Sequence, residues 1–199
     1  MGRLALIVLL SITAAGAADK DKGRFAPGPA SSYRGHQTMD KITIAAVPFV
    51  TDEQARAAFD KVNPNKYGVL PVLVILENGT GKALRLDLQA EYVDPGGRHL
   101  DAIPAEDVQR YNGVSKPPKL GANPLPIPLP HREKKGPLNV WEIEGRAFAA
   151  KLLPAGDSVF GFFYFLTEHL PGSHLYLTGL KDAASGKDFF YFEVPIEPQ

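Results

Sequence analysis

The chain carries five histidines and no cysteine, and that inventory bounds its chemistry. Without cysteine there is no disulfide, thiolate nucleophile, Cys-ligated zinc, iron–sulfur cluster or cysteine-attached lipid anchor. The nearest approach to a metal constellation is Glu168-His169 with His174, three candidate ligands on one loop between strands. They lack the H-x-H or H-E-x-x-H spacing that sets ligands on one face, so solvated turn histidines and no cofactor are the expectation. Asp94, His99 and Asp101 gather round another turn with no nucleophile beside them. No G-x-S-x-G elbow, phosphate-cradling glycine loop or dinucleotide fingerprint is present. Glu142 and Glu144 share one face if their segment is extended, which makes them the carboxylate pair of an alternative reading as an envelope-polymer hydrolase. A solvated pair is the plainer expectation, and the chain is read as non-enzymatic.

Charge removes a further class. Lysine plus arginine number 22 and aspartate plus glutamate 22, so the formal net charge is zero. Binding to a nucleic-acid backbone needs a basic excess, so no such partner is expected. A hydrophobic content of 44% against 22% charged residues also argues against a disordered chain.

The elements that must position these residues begin with an address. Met1–Ala17 places Arg3 before the apolar run Leu4–Leu10 and ends in small residues, the order of a secretory signal peptide. The run is too short to span a bilayer, which takes about 20 residues. Cleavage near Ala17 predicts a periplasmic or secreted protein without a membrane span. Residues 18–40 are rich in glycine, proline and charge without periodicity, and read as a flexible leader to a single domain over 41–199.

Within that domain, Lys41–Val47 alternates as a strand, and Thr51 with Gln54 forms a capping box for a helix over Asp52–Lys61. Val69–Glu77 is apolar on both faces. The Asn78-Gly79-Thr80-Gly81 turn then predicts a hairpin into Ala83–Val93, and the glycosylation sequon at Asn78 is read as part of that turn. Arg98–Ala102 suits a short strand, and Pro104–Tyr111 a short helix. Residues 113–137 form a proline-rich loop in which Leu125, Ile127 and Leu129 alternate with prolines, a stiff extended arm expected to dock on the protein itself. Val140–Ile143 and Ala147–Leu153 read as strands, because Gly145 weakens a helix there, followed by Ser158–Leu166, His174–Leu180 and Phe189–Val194.

Aromatic residues crowd two of these strands. Period-two alternation sets Phe162 and Tyr164 against Phe163 and Phe165, and Phe189 and Tyr191 against Phe190 and Phe192. Both faces are then apolar, and a two-sheet core uses only one. The second must be covered by the Asp52–Lys61 helix, the proline-rich arm, or an unknown protein or glycan partner. That makes Phe162, Tyr164, Phe189 and Tyr191 the candidate binding residues.

Asn78–Lys82 between apolar strands, and Leu153–Asp157 leading into Gly161-Phe162-Phe163-Tyr164-Phe165, resemble motifs of uncharacterised exported bacterial proteins with an immunoglobulin-like β-sandwich. The resemblance covers Leu70–Val194 loosely and implies a fold, with no catalytic residues to carry over; the insertion after Tyr111 departs from it. Strands broken by turn signals at short intervals independently favour a mainly β sandwich with one or two short helices. The functional expectation is an exported binding or structural module of the bacterial cell envelope. The alternatives are an envelope-polymer hydrolase or metal-dependent enzyme, using Glu142, Glu144 or the Glu168/His169/His174 loop, and a carbohydrate-binding module.

Overall fold

A computed structural model describes residues 25–60, 62–111, 136–138 and 141–199. The signal-peptide segment and nearly all of the proline-rich loop lie outside the described residues. Among the described residues no helix is long and apolar enough to cross a membrane.

The chain forms two antiparallel sheets. The first contains β1 (His36–Met39), β2 (Ile42–Pro48), β3 (Leu70–Asn78) and β7 (Ser158–Phe165), in the order β1-β2-β3-β7. The second contains β4 (Leu84–Val93), β5 (His99–Asp101), β8 (His174–Asp182) and β9 (Tyr191–Pro195), in the order β5-β4-β8-β9, with the two-residue β6 (Leu152–Leu153) pairing β4. Ile44, Val72, Val74 and Phe165 from the first sheet and Leu86, Tyr92, Leu177 and Val194 from the second are buried in one shared core. Alternation explains this, since each strand sends every second side chain inward.

The hairpin expected at Asn78-Gly79 is absent, because β3 and β4 belong to different sheets. β3 pairs with β2 and β7 instead, and the turn carries the chain across the core. Asn78 holds that crossing. Its buried Nδ2 donates to the carbonyls of Lys82 (2.7 Å), Pro154 (2.9 Å) and Leu153 (3.1 Å). Its Oδ1 accepts the Thr80 amide at 3.1 Å and hydroxyl at 2.7 Å. The main chain adds Asn78 N–H to Asp157 O and Gly156 N–H to Asn78 O. The two turn segments of the resemblance are therefore bonded to each other, and the Asn78 amide is committed inside the fold.

A second core lies on the outer side of the first sheet. α1 (Asp52–Phe59) starts at the expected capping box, with Thr51 Oγ1 accepting the Gln54 N–H and the Gln54 side chain accepting the Thr51 N–H. Its Ala55, Ala58 and Phe59 cover Ala45, Val47, Leu73 and Ile75, joined by Val108 of α2 (Ala105–Val108) and Ile143 of α3 (Trp141–Gly145). The part of the 18–40 leader that is described, from Phe25 on, is docked and not flexible: Ala30 and Tyr33 are buried in this layer, and His36–Met39 pairs with β2. α3 also corrects the strand expected at Val140–Ile143, over Trp141–Ile143; Val140 lies outside the described residues. Residues 146–148 follow as an extended stretch along β7, with Phe162 N–H donating to Arg146 O and Phe148 N–H to Phe162 O. Gly161 permits this approach, since a Cβ there would overlap the Phe148 backbone.

Candidate functional site

The four candidate aromatics separate into two pairs. Phe162 and Tyr164 are core residues: Phe59 of α1 packs on both rings, at centroid distances of 4.9 and 6.3 Å, and Phe49 meets Phe162 at 4.9 Å. The Tyr164 hydroxyl donates to Ile143 O at 2.7 Å, and burial pushes that phenol well above its ordinary pKa. The part of the β7 face that carries Phe162 and Tyr164 is thus covered by the chain's own helices, and neither ring reaches the surface, whereas Phe160 on the same face stays 45% exposed.

Phe189 and Tyr191 behave differently, because the strand starts later than the sequence pattern implies. β9 begins at Tyr191, and Phe190 before it has a left-handed backbone with φ +62°. That turn breaks the alternation. Phe189 folds partly onto the shared core, Phe192 is buried in it, and Phe190 projects with 77% of its surface exposed. The Asp188 carboxylate accepts the Phe190 N–H at 2.9 Å and Leu180 O accepts the Phe189 N–H at 3.0 Å, so the turn is held from both sides. A left-handed conformation costs a side-chain-bearing residue about 1–2 kcal/mol. Here the strain supports an exposed phenyl ring, an arrangement that core packing does not require.

The ring overlooks a groove between the edges of β1 and β9. The two edges meet at Gly35, whose missing Cβ leaves room for the Pro195 carbonyl, and Ala46 bridges Ile196 beside it. Toward Met39 and Phe189 they open into a cavity of about 430 Å³, lined by Gln37, Met39, Phe189, Phe190, Tyr191 and Glu193 among others. Gln37 Oε1 is buried there without a hydrogen-bond partner. Tyr191 continues the surface across the outer face of the second sheet: it stacks on Tyr176 at 5.2 Å, and His99 meets Tyr176 edge-on at 5.9 Å. His99 Nδ1 and Glu91 Oε2, 2.6 Å apart, close that band on the far strands. The result is a continuous aromatic and polar strip from β5 to the groove.

The chemistry-bearing candidates do not converge. His174 and Glu168 are exposed, whereas both ring nitrogens of His169 are buried without a partner and burial lowers its pKa. Among the described residues no three His, Asp or Glu side chains are grouped closely enough to hold a metal ion. Glu142 and Glu144 lie two positions apart on the helical α3, which turns them to different sides, and the shared strand face they needed does not exist. A second opening of about 510 Å³ lies between β4–β5 and β7, where Phe148 stacks on Phe163 at 5.4 Å below Glu91 and Asp101. Glu91 is turned to His99 there.

No protein-family model matches the chain, and no curated protein matches it at a significant level.

Proposed function

We propose that the protein is an exported, non-enzymatic binding or structural module of the bacterial cell envelope, built on an immunoglobulin-like β-sandwich, whose partner seats on the Phe190–Tyr191 groove. The observation that carries this reading is the strained, exposed Phe190 at the mouth of a cavity. Strain of that kind persists where the surrounding structure enforces it, and it concentrates at functional sites. The wall beside it supplies apolar contact from Met39 and Phe189, and polar groups from Gln37 and Glu193, the mixture usual for a recognition surface. Two facing antiparallel sheets with short helices support the sandwich, and the N-terminal sequence pattern supports export.

The experiment is co-sedimentation of the purified protein with isolated cell envelopes, wild type beside Phe190→Gly and Tyr191→Ser. Wild type is expected in the pellet and both variants in the supernatant, with their melting curves intact. Equal sedimentation of all three removes the groove from the function. Release of soluble fragments from the envelopes, abolished by a single acidic substitution, replaces the binding module with the hydrolase.

A further inference from the structure

The only tryptophan of the chain occupies a second surface, away from the β1–β9 groove. Trp141, at the start of α3, is 70% exposed. The indole lies against Gly145, where a Cβ would stand 2.9 Å from Trp141 Cε3. One turn of chain later comes Arg146. The two residues, with Phe25 and Phe160, line one open cleft of about 410 Å³.

Arg146 has an unusual set of neighbours. Its guanidinium carbon lies 5.2 Å from the centre of the Phe25 ring, a cation–π contact. Its Nε is buried and makes no hydrogen bond. No carboxylate reaches it within ion-pair distance among the described residues, whose ion pairs are made by other cations. Burial lowers its pKa while Glu142 acts in the opposite sense, and an arginine keeps its charge throughout. Phe160, itself 45% exposed, packs edge-on against Phe25 at 6.1 Å and completes the wall. Among the described residues a cation is therefore held against rings with its Nε unpaired and no carboxylate at ion-pair distance.

We infer that this cleft binds a carboxylate-bearing saccharide, with the pyranose face on Trp141 and the carboxylate on Arg146. A guanidinium with free donors matches a carboxylate in a planar, two-pronged geometry. The platform selects the rest of the ligand. An aromatic acid gains most when both of its faces are enclosed, and this indole leaves one face of any guest in water. A sugar ring offers an apolar face to the indole and keeps its hydroxyls solvated, so an open shelf suits it. This site is separate from the β1–β9 groove and does not depend on the function proposed for that groove.

Because Trp141 is the only tryptophan, its fluorescence reports on this cleft alone. The test titrates the full protein with an oligouronide, with the neutral oligosaccharide of the same sugar series, and with benzoate. The expected result is a saturable change in Trp141 emission with the oligouronide and binding about tenfold or more weaker for the neutral sugar, since charge-assisted pairing is the discriminating contact. Arg146→Gln should bring the oligouronide down to the neutral level, Arg146→Lys should keep part of the preference, and Trp141→Ala, followed by calorimetry, should abolish binding of both sugars. Arg85→Gln, which removes an exposed arginine of β4 that lines neither opening, should bind as wild type, which ties the loss to Arg146. Equal binding of the neutral sugar, binding of benzoate as tight as the oligouronide, absence of any saturable change, or oligouronide binding that survives Arg146→Gln and Trp141→Ala in folded protein each overturns the inference.

Discussion

The Lys82 ammonium lies 3.1 Å from the buried Asp182 carboxylate, joining the start of β4 to the end of β8. The carboxylate also accepts the N–H groups of Ser185 (2.8 Å) and Ala184 (2.9 Å). The Ser185 amide, followed by Lys82, draws its pKa down from 3.8 to about 2. A depressed folded-state pKa stabilises the protein fully above the unfolded value, and that contribution is lost as pH falls through the folded one. Thermal midpoints measured between pH 3.8 and about 2 should fall less steeply for Asp182→Asn than for wild type. Parallel curves would assign the acid sensitivity elsewhere.

Asn78 should be intolerant of its closest relative. Its amide donates to three carbonyl oxygens, so Asn78→Ala strands buried acceptors at a cost of about 2–4 kcal/mol. Asn78→Asp sets a carboxylate against the same oxygens and should destabilise more than alanine at neutral pH. Urea unfolding of the two variants decides the order.

Gly161→Ala should cost about 2 kcal/mol or more, because the new methyl meets main chain, which cannot rotate away. The stretch 146–148 would leave β7, so hydrogen exchange at the Phe148 and Phe162 amides should accelerate with the loss of stability. Protected amides in the variant would show that β7 shifts to accommodate the methyl.

Phe190→Gly is expected to leave stability unchanged or raise it by up to about 1 kcal/mol, since relief of left-handed strain opposes the extra freedom of glycine in the unfolded chain. Thr51→Ala, which only removes the cap of α1, should lose about 1 kcal/mol in the same denaturation assay. A larger loss at Phe190 than at Thr51 would mean that the ring packs in solution.

Much of the fold was legible because the signals were local. Thr51 and Gln54 announced α1, and the Ala55–Phe59 stripe announced the face it buries. The crossing at Asn78 was not legible, since Asn-Gly chemistry specifies a turn and says nothing about which strands its flanks will pair with. The run Phe189–Val194 reads as a strand throughout, and only the tertiary fold turns Phe190 left-handed. The cleft proposed at Trp141 and Arg146 is hidden in the sequence, because the β-favouring Val140–Ile143 stretch conceals α3. The available signal was a lone tryptophan four residues before Gly145-Arg146, one helical turn away.

The strand order has a consequence for how the molecule assembles. β3 waits for β7, whose Phe165 opposes Leu70, and β4 waits for β8, whose His174 opposes Val93. Pairings so distant in sequence make folding slow and leave strand edges unpaired while it proceeds. Neither sheet can mature until the chain from Ser158 to Asp182 is free to pair. The Phe190 groove needs both β1 and β9, the first and last strands of the described chain, so the surface proposed to recognise a partner exists only once the two sheets have been brought together.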